Sequence, residues 1–280
     1  MASVEEWSGK DRADENFPVG SFLIRPDLRA HVHAFYNFAR NADDIADSPT
    51  LDAEDKITRL DIMEDVLLGR TDERSPSAQS PSALALRASL AATRVSSRHA
   101  TDLLIAFRQD ATKNRYATWD ELLDYCRHSA MPVGRHVLDL HGESEQTYAP
   151  SDALCASLQV LNHLQDCQKD FLQLNRSYLP VDLLSHFGGT VEDVTASRES
   201  VALIGVFNQL LDQVEALNLS AAHLPRRVRD RRLRLETAVI VGLAKRLTKR
   251  LRHGDPVASR VKLTRTDAVF SLLAAIRYLP

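Results

Sequence analysis

From Leu28 onward the apolar residues Leu28, Val32, Phe35 and Ala39 step by four, three and four, which puts them on one face of an amphipathic helix packed into a core. Pro26-Asp27 is the predicted opening of that helix. The same period returns over residues 83–113, 152–174, 200–217 and 226–254. Another helix is predicted from Thr118, where Thr118-Trp119-Asp120-Glu121 has the S/T-x-x-E form of a capping box. Pro132 falls within or just after it and is predicted to kink or end it, and Gly134 offers a point of close approach two residues on. Residues 71–82, rich in serine with two prolines, read as a surface loop, and Gly188-Gly189 and His253-Gly254-Asp255-Pro256 punctuate later segments. There is no sustained period-two alternation and no Asn-Gly or Asp-Gly hairpin signal. The expected class is therefore all-α, with no internal repeat of fixed period.

Length fits one domain around a single large core, expected over residues 15–280, preceded by a loose acidic and polar leader, 1–14, with no apolar stretch of the kind a signal peptide needs. A net charge of −3 gives no general pull toward nucleic acid, so any polyanion must be held by a local cluster. Three scattered cysteines suit neither a disulfide framework nor a zinc site and fit a reducing cytoplasm. No run approaches the roughly 18 apolar residues of a spanning helix. The nearest are residues 238–244 and 268–279, the latter being either a last core helix or a segment for peripheral membrane contact. The arginine cluster from Arg226 to Arg234 has two readings, a solvated basic helix face or a site for phosphate or lipid headgroups.

The densest chemical signal is Arg40-Asn41-Ala42-Asp43-Asp44-Ile45-Ala46-Asp47. Asp43 and Asp47 share a helix face, with Tyr36 and Arg40 on the same stripe. Like charges at this spacing cost a helix about 0.2–0.5 kcal/mol, and a divalent cation reverses that sign. Mg2+ prefers oxygen ligands, takes one or two carboxylates, and keeps other positions for water and substrate phosphate. A solvated acidic face is the plain alternative for one such pair. A second stripe, Gln159, Asn162, Asp166 and Asp170, steps by three, four and four, with Leu158, Leu161 and Leu164 on other faces. Two stripes of this kind favour a site. No Glu-x-x-His pair supports a di-iron bundle, and there is no H-E-x-x-H, G-x-S-x-G, P-loop or G-x-G-x-x-G, so a nicotinamide cofactor has no visible site.

At these residues the sequence resembles the squalene/phytoene synthase family over about residues 15–252. Residues 36–47 (YNFARNADDIAD) look like its first aspartate motif and 159–170 (QVLNHLQDCQKD) like its second. Tyr125-Cys126 followed by Ala130, Val133 and Gly134 is similar to the family's central block, and Asn175-Arg176-Ser177-Tyr178-Leu179-Pro180 to the segment that closes over a diphosphate. Within the family, Glu15-Asn16-Phe17-Pro18-Val19 and residues 125–135 look most like the bacterial hopanoid-pathway branch, the hydroxysqualene synthases. The resemblance implies an isoprenoid-synthase-type helical bundle with its two aspartate motifs facing a central cavity. It also implies two or three Mg2+ ions carried by Asp43, Asp47, Asp166 and Asp170. The substrate would be presqualene diphosphate, whose leaving group departs before water captures the rearranged cation, with no NADPH. Arg40 and Tyr125 are the catalytic candidates. Tyr36, Arg40, Gln159, Asn162, Arg176 and Tyr178 are the substrate-binding candidates. His128 reads first as a core histidine. Two alternatives stay open: an enzyme that condenses farnesyl diphosphate head to head, and a helical scaffold with vestigial metal motifs. Other enzymes of the same pathway are candidate partners.

Overall fold

In the computed structural model, residues 4–5, 23–70 and 80–278 are described. Among them there are twelve α-helices and no strand. The Glu15–Val19 likeness and most of the 71–82 loop lie outside the described residues. The helices are α1 (Arg29–Ala46), α2 (Ala53–Leu68), α3 (Pro81–Thr93), α4 (Arg98–Asp110), α5 (Trp119–Ser129), α6 (Met131–Leu140) and α7 (Tyr148–Leu174). They are followed by α8 (Val181–His186), α9 (Val201–Ala221), α10 (Leu224–Arg227), α11 (Arg231–His253) and α12 (Arg265–Ala275). The chain forms two compact units, one of residues 1–113 and 135–142, the other of residues 114–134 and 143–280.

The first unit is built on α1. Val32 and Phe35 of the expected face are buried, but the stripe continues through Phe38, Ala42 and Ile45, while Ala39 is only half-buried. A step of three from Phe35 reaches Phe38, whose larger side chain gains about 1.5–3 kcal/mol on burial, so the helix turns that side inward. Around it lie Leu60, Met63 and Leu67 of α2, Leu86 of α3, and Leu103 and Leu104 of α4. Helix α2 drew no expectation from the sequence; it is capped by Asp52, which accepts from Asp55 N–H, and stopped by Gly69 at φ 69°. The helical pattern over 83–113 is in fact two helices, because Arg94 adopts φ 59° and ends α3. Glu5, within the segment read as leader, accepts hydrogen bonds from Ser80 Oγ at 2.7 Å, Ser82 N at 2.8 Å and Ser82 Oγ at 2.6 Å. A carboxylate is thus seated at the N-terminus of α3, where exposed N–H groups favour negative charge. His136 is wholly buried and stacks on Phe35 at 3.9 Å. Burial, then the nearby His99, pushes its pKa down to about 3, so it packs as a neutral ring.

The second unit is organised by α7, 27 residues and therefore about 40 Å long. It packs against α9 and α11, and α11 in turn carries α12. A buried polar chain ties three helices together: Ser157 Oγ donates to Asn218 Oδ1 at 2.8 Å, Asn218 Nδ2 to Thr248 Oγ1 at 3.0 Å, and Thr248 Oγ1 to the Ala244 carbonyl at 2.8 Å. Because every member is satisfied, the network specifies register without an unpaired polar group. The predicted cap at Thr118 is present, its Oγ1 accepting from Glu121 N–H at 3.2 Å, while the Glu121 carboxylate reaches back to the Ala117 N–H. The pattern over 226–254 divides into α10 and α11, with Asp230 capping α11 through Arg232 and Leu233 N–H. Arginines of the Arg226 to Arg234 cluster hold loops here: Arg227 donates to the Gln146 carbonyl at 3.0 Å and Arg234 Nε to the Val228 carbonyl at 2.9 Å.

The break near Pro132 is real. Helix α5 ends at Ser129, and Pro132 is the second residue of α6, where no backbone N–H is needed. Gly134 brings that turn onto α7 so closely that a Cβ there would lie 2.5 Å from Ser151 Oγ and 2.6 Å from Cys155 Sγ. Alanine normally gains about 1 kcal/mol over glycine inside a helix, but overpacking costs about 1–3 kcal/mol and should win. Gly134→Ala is therefore expected to lower unfolding free energy by up to about 2 kcal/mol net, measured by urea denaturation; an increase in stability would show that the contact relaxes.

Candidate active site

In the first unit the site residues sit on the last three turns of α1. Arg40 Nη1 lies 3.1 Å from Asp43 Oδ2, and its Nη2 pairs with the buried Asp44. Asp47 is the C-cap residue, and its N–H donates to the Asp43 carbonyl at 2.9 Å. The two aspartates thus keep their one-turn relation although α1 formally stops at Ala46. Tyr36 is half-buried one turn before Arg40. The Asp43 carboxyl is held above the usual carboxylate range. Burial is the largest cause, followed by the charge of Asp47, with Asp110 and Asp44 adding to it and Arg40 opposing. The net field therefore resists a further negative charge at Asp43, and a divalent cation would relieve it. Among the described residues no three acidic, histidine or cysteine side chains converge into a closed metal cage. Mg2+ binds through one or two carboxylates, with water and phosphate oxygens completing the octahedron. By donor chemistry and field, Asp43 and Asp47 fit the ion.

In the second unit Gln159, Asn162, Asp166 and Asp170 are all half-buried along α7, while Leu161 and Leu164 are buried behind them. Asp166 is gripped by a guanidinium fork, with Arg260 Nε 2.8 Å from Oδ1 and Nη2 2.8 Å from Oδ2. After Leu174 the chain turns through Asn175 at φ 50°, a left-handed position that asparagine tolerates. Arg115 pins this turn, its guanidinium donating to the Asn175 carbonyl and side chain and lying 5.2 Å over the Phe171 ring. The following segment then runs beside residues 114–117, with Ser177 N–H donating to the Asn114 carbonyl at 2.9 Å and Val181 N–H to that of Tyr116 at 3.0 Å. These bonds bury Arg176, Ser177, Tyr178 and Leu179.

What they are buried against is an aromatic nest. His163 stacks on Tyr178 with ring centroids 3.4 Å apart, Tyr116 stacks on Tyr178 at 5.4 Å, and Tyr125 tilts against both tyrosines at 5.3 and 5.4 Å. Tyr125 Oη is 3.5 Å from Tyr178 Oη, and Arg176 Nη1 donates to Tyr178 Oη at 3.4 Å. Burial, then the charge of Arg176, pushes His163 down to about 3. The ring is neutral, and the Gln159 amide donates to its Nε2 at 3.1 Å. The structure thus brings Gln159, Tyr125, Arg176 and Tyr178 into one cluster, and Arg40, Asp43 and Asp47 into another. His128 is half-buried and lies outside the nest. Arg260, Asp110, His163 and Tyr116 had no place in the sequence reading. Arg260 is 94 residues from Asp166 and carries no periodic signal, whereas His163 stands next to Asn162 within a quoted motif.

The match to the squalene/phytoene synthase model runs over residues 10–267. This chain belongs to the squalene/phytoene synthase family. It is an enzyme of isoprenoid biosynthesis, and the helical class expected from periodicity is the family's. It is 47% identical over 277 residues to the hydroxysqualene synthase of Rhodopseudomonas palustris, covering 99% of this chain and 93% of that protein. It is 42% identical to the hydroxysqualene synthase of Zymomonas mobilis, covering 94% and 87%. Among solved structures it is similar to a squalene synthase from Alicyclobacillus acidocaldarius, with a TM-score of 0.73 at 31% identity, covering 86% of this chain and 90% of that one. A dehydrosqualene synthase shares the fold with a TM-score of 0.79 at 21% identity, covering 95% and 92%. No helix among the described residues is long and apolar enough to cross a membrane.

The depressed basicity of His163 has a consequence in solution. The folded ring stays neutral down to about pH 3, whereas the unfolded ring binds a proton below its ordinary value of about 6.5. Protonation therefore favours the unfolded state, and stability is lost as pH falls through that window, by up to about 1.4 kcal/mol per pH unit from this group. His163→Phe, which keeps a ring against Tyr178, is expected to flatten the dependence of the denaturation midpoint between pH 6.5 and 4.5. An unchanged slope would mean that His163 titrates normally in the fold.

Proposed function

We propose that this enzyme converts presqualene diphosphate and water to hydroxysqualene and diphosphate. The observation that carries this reading is the 47% identity to a hydroxysqualene synthase across nearly the whole of both chains, in a sequence that keeps both aspartate pairs intact. In the reaction the C–O bond to the diphosphate breaks with its electron pair leaving on oxygen. The cyclopropylcarbinyl cation rearranges, and a water oxygen bonds to carbon and gives up its proton. Nothing is reduced, so no NADPH is consumed.

Asp43 and Asp47 on one helix, and Asp166 and Asp170 on another, would each hold Mg2+. When bound, the ions supply Lewis acidity toward the diphosphate oxygens. Arg40 in the first unit and Arg176 in the second each offer a planar fork suited to phosphate oxygens, and an oriented donor of this kind stabilises a departing anion without reorganising. Gln159, Asn162 and Tyr178 orient the group. The ring of Tyr125, and that of Tyr36, would face the cation, an interaction worth about 2 kcal/mol when dry. Support for the Tyr125 role comes from the nest of rings that holds it and from the neutral state of His163, which adds no competing positive charge. Arg260 occupies the Asp166 carboxylate with its fork, so ion binding at that aspartate requires Arg260 to release it or share it.

Asp43→Ala and Asp166→Ala are expected to lower kcat by about 10^2- to 10^3-fold or more with unchanged far-UV circular dichroism, and chelation of Mg2+ should do the same to the native protein. Full turnover in either variant would remove both pairs from the mechanism. Supplied with Mg2+ and presqualene diphosphate, the purified enzyme should yield hydroxysqualene by mass spectrometry. Accumulation of presqualene diphosphate from farnesyl diphosphate, with presqualene diphosphate itself left unconsumed, would make it a condensing enzyme instead.

A further inference from the structure

Helix α12 is inverted. Its buried stripe consists of Asp267, Ser271 and Ala275, while Val269, Phe270, Leu272, Leu273 and Ile276 point outward with 44–57% of their surface exposed. Isolated exposed apolar residues need no explanation, but five on one two-turn face form a patch of the kind that marks an interaction site.

The orientation is built in. A Cβ on Gly242 of α11 would lie 3.0 Å from Ser271 Cβ, so only small residues fit beneath α12. Thr264 caps the helix reciprocally with Asp267, and Asp267 is paired with Arg250 and, at 3.7 Å, with Arg246. Turning the apolar side inward would break these pairs and drive large side chains against Gly242.

The surroundings of the patch are cationic in a protein that is anionic overall. Residues 245–277 hold nine lysines and arginines against two aspartates, whereas the whole chain carries −3. Arg252 is engaged by Asp212 and Glu215, and Arg260 by Asp166. Arg246, Lys249, Arg250 and Lys262 line one open cleft beside α12, and the Arg246 guanidinium lies 5.0 Å over the Phe270 ring. Exposed apolar residues next to a lysine and arginine rim suit the interface of an anionic bilayer, where an eleven-residue helix about 16 Å long lies in the plane with its apolar face in the acyl boundary. A second copy of the chain would bring an identical cationic rim against this one and be repelled.

We propose that the outer face of α12 and the adjoining cleft are a docking surface for anionic lipid bilayers. The inference does not depend on which diphosphate the enzyme consumes. It is tested by flotation with phosphatidylcholine vesicles, with and without phosphatidylglycerol, using the full chain, the double variant Phe270→Ser/Leu273→Ser and the double variant Lys249→Gln/Lys262→Gln. The full chain should float with the phosphatidylglycerol vesicles and release in high salt, and either variant should lose about tenfold in bound fraction while keeping its circular dichroism and turnover of detergent-dispersed substrate. Three results would overturn the proposal: no flotation of the full chain on anionic vesicles, equal flotation of Phe270→Ser/Leu273→Ser, or a native dimer that this variant dissolves into monomers.

Discussion

Two carboxylates one helical turn apart repel each other, and the structure of this protein makes that repulsion stronger. Burial around Asp43, with Asp47, Asp44 and Asp110 near it, raises the cost of charge there beyond what Arg40 returns. Positive charge beside this pair is therefore favoured. On α7 the Asp166 carboxylate already has a cationic partner, the fork of Arg260. Both arrangements leave the acidic stripe on a helix whose reverse side is anchored by fully buried residues, Phe38 and Ile45 in one unit and Leu161 and Leu164 in the other. The anchoring matters because a carboxylate on a rigid helix holds its position against repulsion that a loop would relax.

The aromatic nest supplies the complementary property. Tyr116, Tyr125, Tyr178 and His163 are packed ring on ring, and the one titratable ring among them is kept neutral by burial. Ring faces attract cations while offering no nucleophile. The proposed reaction, which passes through a carbocation, calls for surfaces of this sort, and here the segment 175–180 is folded against 114–117 by backbone hydrogen bonds that bring Tyr178 and Arg176 to it. Order in that segment originates in the left-handed turn at Asn175 and the grip of Arg115 upon it.

Much of the helical layout was legible from the three-to-four step of apolar residues, since an amphipathic helix repeats its buried face at that period. Where two candidates lay one step apart, as with Phe38 and Ala39, periodicity alone chose the smaller and the core took the larger. Breaks inside long patterns, at Arg94 and at Val228, left little trace because neither involves a proline or glycine at the break itself, and α2 drew no expectation at all. The reading of residues 268–279 as a last core helix or a membrane segment turns on which side α12 buries, and apolar content cannot report that.

What the residues alone determined is local: helical class, the cap at Thr118, the close approach at Gly134, and the one-turn spacing of each aspartate pair. These follow from backbone geometry acting over three or four positions. The tertiary structure decided which groups meet across long stretches of chain, such as Arg260 with Asp166, and His163 with Tyr178 in a stack braced by Tyr116. It also decided that α12 turns its small residues inward. No period in the sequence encodes such meetings, because they arise only when separately formed helices compete for the same buried surface.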